Sequence, residues 1–359
     1  MRAIIHLGMQ KTGSSAIQAQ LAQGREKLAA EGFFYPSLGE DAVAGHWQLA
    51  ALWAESLPPA HHLAERLRHM GPGAADRVTL ALETAIAQAR AHGDGVVLLS
   101  AEHLSHPMSA PGGKRLTALF ARHGVQVTAL AYLRPVTDHY PSAAQQQVKR
   151  YGHKIDPALI DHLDRLETIE TIYGADALRL RVFSRQSLLG GDVTADVAQW
   201  IGAVCGRALP DLGGALRANE SMPAAASALL LRLGEARSPE SDPRLFGLLR
   251  GAIQRAGLAF PRLTLPETWR ARLEANAAPR WNAMLARSDH PEPLRAALRL
   301  REGPPSAPIP APISAEEMRD WVDSAWDETY NAALAAWIEG SRMGPKSEVL
   351  ALLRGAKAP

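Results

Sequence analysis

A chain of 359 residues is long enough to bury a large core, either as one domain with additions or as two. Its 39 lysines and arginines against 37 aspartates and glutamates leave a net charge of +2, which excludes the broad basic surface of a nucleic-acid binder, so any cationic function is local. The single cysteine, Cys205, excludes an intrachain disulfide, and its neighbours Ala203 and Val204 predict a buried structural thiol. No stretch is apolar enough for an integral membrane segment, and the N-terminus enters the first strand without a leader, so a cytoplasmic protein is expected.

The first strand is Ala3-Ile4-Ile5-His6-Leu7, and Ser14 opens a helix that places Ile17, Leu21 and Leu28 at helical spacing until Gly32. Between them runs Gly8-Met9-Gln10-Lys11-Thr12-Gly13-Ser14-Ser15, a glycine-bounded turn. Such a junction is either an ordinary strand-to-helix turn or an anion cradle, because the first N–H groups of a helix lack partners and its dipole favours negative charge. Gly8, Gly13 and Ser15 match the nucleotide-binding P-loop spacing, but Ser14 stands where that loop carries its lysine, and Lys11 lies three residues earlier. An ATP or GTP site is therefore disfavoured.

Gly32 to Pro36 reads as a short second strand, and Gly45 to Trp53 as a helix with an aromatic stripe headed by His46. His46 is either a partly exposed histidine or a catalytic or acceptor-binding one. His61 and His62 lack carboxylate company for a metal site and are expected on the surface. A helix over Val78 to His92 precedes the buried strand Val96-Val97-Leu98-Leu99-Ser100. Glu102 and His103 follow that strand's carboxyl end, where open α/β sheets bind ligands; they serve either as a helix start or as catalytic groups. Ser105 to Gly113, rich in Pro, Gly and Ser, predicts a loop.

The strand Val125 to Leu133 delivers Arg134, and Pro135 starts a helix on which Ser142, Gln146 and Lys149 share a face. Arg134 either pairs with Asp138 at the surface or grips a phosphate through paired charge-assisted bonds. Asp161 to Ile172 predicts a helix, Leu178 to Phe183 a fifth strand nearer a sheet edge, and Val193 to Ile201 a further helix. Beyond residue 215 the pattern is helical, with pieces at Ala224 to Leu233, Arg244 to Ala256 and Glu267 to Ala275. A proline-rich linker spans 303–312, and a helix carrying Met318, Trp321, Trp326, Tyr330 and Trp337 follows, expected to dock back on the body. The expected architecture is thus α/β: a parallel sheet of about five strands flanked by helices over 1–215, and a mainly helical extension over 216–359 packed on it.

Two of these motifs together resemble the sulfotransferases that use 3′-phosphoadenosine 5′-phosphosulfate (PAPS), in particular bacterial members with a P-loop-like fold. The opening loop, with lysine two places before the second glycine, resembles their 5′-phosphosulfate loop. Arg134, followed eight residues later by Ser142, resembles their 3′-phosphate motif, although Ala144 stands where the family often has an aromatic residue. The resemblance implies sulfuryl transfer from PAPS to a hydroxyl or amine, leaving adenosine 3′,5′-bisphosphate, without a required metal. It implies cofactor binding by Lys11, Thr12, Gly13, Ser14, Ser15, Arg134 and Ser142. It further implies Lys11 as the group that neutralises the bridging oxygen, and a general base among Glu102, His103 and His46, with Glu102 first. The expected acceptor is a small molecule or glycan, with carbohydrate or glycolipid foremost. A P-loop kinase and a non-catalytic binding or scaffold protein on the same fold are the alternatives.

Overall fold

The structure is a computed structural model that describes residues 1–39, 44–59, 61–151, 162–213, 227, 264–287 and 292–301. The predicted helices at Ala224 to Leu233 and Arg244 to Ala256, the linker at 303–312 and the aromatic helix after it lie outside these residues. Among the described residues there are five strands: β1 (Arg2–Leu7), β2 (Phe33–Phe34), β3 (Val96–Ala101), β4 (Gln126–Leu133) and β5 (Leu178–Val182). They form one sheet in the order β2-β3-β1-β4-β5, and every pairing is parallel. The sheet is flanked by helices, as the alternating pattern predicts, and β5 is an edge strand.

The helices are α1 (Ser14–Gln23), α2 (Arg25–Ala30), α3 (His62–Met70), α4 (Ala74–Ala91), α5 (Ala110–Arg122), α6 (Val136–Tyr151), α7 (Leu163–Tyr173), α8 (Val193–Cys205), α9 (Glu267–Arg287) and α10 (Glu292–Leu298). No helix among the described residues is long and apolar enough to cross a membrane. The chain divides into two compact units. The first comprises the described residues of Met1–Pro135, His162–Ala218 and Met284–Leu298, and contains the whole sheet. The second draws on Val136–Asp161, Asn219–Ala283 and Arg299–Pro359, so that α6 and most of α9 belong to it. Within it, the Tyr140 and Trp269 rings lie 6.5 Å apart, and the Asn282 side chain bonds both main-chain groups of Leu300.

Strand periodicity explains the core of the first unit. Ile4, Leu98, Leu130 and Tyr132 share one face with Ile17 and Leu21 of α1 and Val197, Trp200 and Ile201 of α8. The alternate residues Ala3, Ile5, Leu7, Val97 and Leu99 are buried as well, as a sheet covered on both faces requires. One polar knot ties α8 to the sheet. Asp196, 3 % exposed, accepts from the Tyr132 hydroxyl at 2.5 Å, from Arg181 at 3.0 and 3.1 Å and from the Leu189 N–H at 3.2 Å.

Two expected elements differ. The stretch after His46 is not a regular helix but 3-10 turns over Trp47–Ser56, with non-helical backbone at Trp53. The expected loop at Ser105 to Gly113 is instead two 3-10 turns, His103–Ser105 and Pro107–Ser109, leading into α5. Gly112 and Gly113 serve close packing there, since a Cβ would lie 2.0 Å from the Trp53 ring and 2.7 Å from Ile172. The helix expected at Glu267 to Ala275 runs on to Arg287 through Pro279. Cys205 is half-buried, and that burial raises its thiol above the usual range.

Asp196→Ala removes one partner of a buried ion pair and orphans the Tyr132 hydroxyl. It is expected to cost about 3–5 kcal/mol, read as a lower midpoint in urea denaturation.

Candidate active site

The order of the sheet fixes where a ligand goes. From β1 the chain moves to β2 and β3 on one side and to β4 and β5 on the other, so β1 marks the reversal, and its carboxyl end is the expected crevice. The turns after β1, β3 and β4 deliver Gly8, Glu102 and Arg134 to that end.

The turn after β1 is held in an unusual backbone. Lys11 has φ 62°, and among the described residues it alone adopts positive φ without being glycine. Gly13 follows with φ 77°. A side chain in this left-handed region costs about 1–2 kcal/mol, so the surroundings must impose it. They do so by engaging three successive carbonyls. The Met9 carbonyl accepts from the hydroxyls of Thr12 at 2.7 Å and Ser14 at 3.3 Å. The Gln10 carbonyl accepts from the His162 ring at 3.2 Å, and the Lys11 carbonyl from the Arg134 guanidinium at 3.2 Å. The N–H groups of Thr12, Gly13, Ser14 and Ser15 donate to no acceptor among the described residues. Alternating left- and right-handed backbone with such N–H groups at a helix start forms an anion-binding nest. The residues named from the sequence as Lys11 to Ser15 are therefore one physical unit.

Both glycines are forced by contacts. A Cβ on Gly8 would meet Ser14 Oγ at 2.8 Å and Glu102 Cα at 3.1 Å, and one on Gly13 would meet Val193 Cγ1 at 2.8 Å and the Phe183 ring at 3.2 Å. Close approach at Gly8 thus brings the backbone of Glu102 against the loop.

Charge is concentrated here at low exposure. The half-buried Lys11 ammonium sits below the ordinary lysine range because of desolvation first and the Arg134 charge second, with Glu102 acting in the opposite sense. Desolvation raises the Glu102 carboxyl, against the charges of Arg165 and Lys11. Arg165 of α7 donates to Ser105 Oγ at 2.8 Å, and Ser105 Oγ donates to the Glu102 carbonyl at 2.8 Å, so one chain of bonds fixes the turn bearing Glu102. Arg134 lies 5.8 Å from the centre of the Phe183 ring.

The histidines divide by their contacts. His46 is buried and donates from Nε2 to the Pro36 carbonyl at 2.8 Å while Nδ1 accepts from the Ser100 N–H at 3.0 Å. Both nitrogens are committed to the main chain, and burial holds the ring down to about 4. His103 is half-buried and also lowered to about 4, by burial and then by the charges of His62, His61, Arg165 and Arg66. His61 caps α3, accepting from the Leu63 N–H, and its ring stacks 4.4 Å from His62. Ser142 is half-buried on α6, in the second unit. His162 and Arg165, two contributors the sequence does not signal, come from α7 and its N-terminal flank, some 150 residues from the loop; nothing in their local pattern distinguishes them from ordinary helix-surface residues.

No protein-family model matches the chain, and no curated protein sequence does. A crystal structure of a sulfotransferase from Alicyclobacillus acidocaldarius is similar at 12 % identity and a TM-score of 0.34, covering 66 % of this chain and 93 % of that one.

The strained loop yields a paired test of stability. Gly13→Ala, which adds a Cβ at positive φ against Val193, is expected to lose about 1–3 kcal/mol in urea denaturation. Lys11→Gly, which relieves a left-handed side chain, is expected to change stability by less than about 1 kcal/mol.

Proposed function

We propose that the protein is a sulfotransferase that takes its sulfuryl group from PAPS. The single observation that carries this reading is the nest at Thr12 to Ser15, with Lys11 beside it and Arg134 bonded to its backbone. An anion seated on these amides has one ammonium and one guanidinium in attendance, and the lysine is not where a nucleoside triphosphate loop needs it. When bound, the donor supplies a phosphosulfate whose bridging sulfur–oxygen bond breaks as the acceptor oxygen attacks sulfur.

In this reading each residue has a defined task. The amides of Gly13 to Ser15 hold the 5′-phosphate. Lys11 neutralises the negative charge that grows on the bridging oxygen, an interaction stronger in the transition state than before it. Arg134 grips the 3′-phosphate, and Ser142 carries the hydroxyl that the family resemblance assigns to the same group. Glu102 accepts the acceptor's proton. It is preferred because its basicity is raised while those of His103 and His46 are lowered, and because His46 has no ring nitrogen to spare. The acceptor is a hydroxyl-bearing small molecule or glycan, with carbohydrate or glycolipid preferred.

Lys11→Ala is expected to lower sulfuryl transfer from labelled PAPS by about 10²–10³-fold. Arg134→Ala should chiefly weaken adenosine 3′,5′-bisphosphate binding, and unchanged affinity contradicts its assignment. Because Glu102 works as the carboxylate and its pKa is raised, kcat/KM should climb with pH through a midpoint above the ordinary carboxylate range and level off once the group is ionised. In Glu102→Gln that rise should vanish with bisphosphate affinity intact; a fully active variant places the base elsewhere.

A further inference from the structure

The sheet carries a second cationic feature at the opposite end of β1. Six residues of strand span roughly 20 Å, so Arg2 stands far from the loop that begins at Gly8. Helix α8 covers Ile4, Leu130 and Tyr132 with Val197, Trp200 and Ile201. Toward the amino ends of β1 and β4, and along the edge strand β5, the residues of the same face change from apolar to cationic and polar and are exposed or half-buried. They are Arg2, Gln126, Thr128, Arg179 and Arg181. Together with Trp200 and the end of α8 they line a cleft of about 500 Å³, within the range of small-molecule sites.

Strand register shows how these groups are arrayed. Arg2 pairs with Gln126 and Arg179 with Leu130, so Thr128 lies midway between the two arginines along β4. The three guanidiniums are not equivalent. Arg181 is spent on Asp196 and lies 4.9 Å from the Trp200 ring centre, so its charge is matched. Arg2 donates to the Val204 carbonyl near the end of α8, and Arg179 to the carbonyls of Asp176 and Leu178. Neither meets a carboxylate among the described residues, and no acidic side chain lines the cleft. Two uncompensated charges thus flank a hydroxyl and an amide in one concavity.

We infer that this cleft binds phosphate, free or as the monoester of a small ligand. Carrying close to two charges at neutral pH, it matches the two guanidiniums that lack a carboxylate partner, whose forked donors suit its tetrahedral oxygens, while Gln126 and Thr128 supply further hydrogen bonds. The site is separate from the loop and independent of the sulfotransferase reading.

Calorimetric titration of the full chain with inorganic phosphate, and separately with glucose 6-phosphate, tests it. The double variant Arg2→Gln/Arg179→Gln should bind at least tenfold more weakly at one class of site, whereas Lys11→Ala should keep that class. Arg179→Gln alone, which forfeits only local carbonyl bonds, should show the same loss in part and guards against misfolding of the double variant. Tighter binding of glucose 6-phosphate than of phosphate assigns the cleft to an ester, and the reverse assigns it to the free ion. A double variant that titrates like the parent chain, or a Lys11→Ala variant that loses all binding, overturns the proposal.

Discussion

Successive main-chain amides can face one anion only if the backbone that carries them is held in a conformation that turns them the same way. In this protein the turn is held at Met9, Gln10 and Lys11, whose carbonyls are taken by Thr12 and Ser14, by His162 and by Arg134. Two distant parts of the chain, at His162 and Arg134, therefore converge on one turn of eight residues. The cost appears as the left-handed backbone of Lys11, and strain of this kind persists where the surroundings over-determine it. The sheet order matters for the same reason, since the reversal at β1 brings the turns after β3 and β4 to its two sides.

The second determinant is how charge is kept at low exposure. Lys11 and Glu102 are each desolvated, and each is stabilised by the other; Arg165 adds to the support of Glu102, and Arg134 opposes Lys11. Desolvation pushes the lysine toward neutrality and the carboxyl toward protonation, and their mutual attraction opposes both shifts. The histidines nearby are pushed toward neutrality like the lysine. His46, His103 and His162 are all held neutral by burial, and His46 and His162 are bonded to main-chain carbonyls. Their bonds to the main chain make His46 and His162 part of the scaffold around the loop and the turn at Glu102.

Much of this was legible in the residues. The apolar runs at Ala3 to Leu7, Val96 to Ser100 and Val125 to Leu133 are strands because nothing else buries such short β-branched stretches, and the glycines at 8 and 13 mark the turn. What local pattern could not show was contact. The stripe after His46 has helical spacing, but Trp53 must pack on Gly112, and the backbone leaves the helix to let it. The glycines at 112 and 113 read as part of a loop and are instead the places where Trp53 and Ile172 touch the α5 backbone. His162 and Arg165 carry no signal because their partners, Gln10 and the turn at Glu102, lie far away in sequence.

In the proposed function, the loop after β1 and Arg134 together recognise a nucleotide with phosphate at both the 3′ and 5′ positions. Calorimetric titration of the full chain with adenosine 3′,5′-bisphosphate beside ATP and magnesium addresses it most directly. Saturable binding of the bisphosphate, at least a hundredfold tighter than that of ATP, is expected. Equal or tighter binding of ATP, or no binding of the bisphosphate, would contradict it.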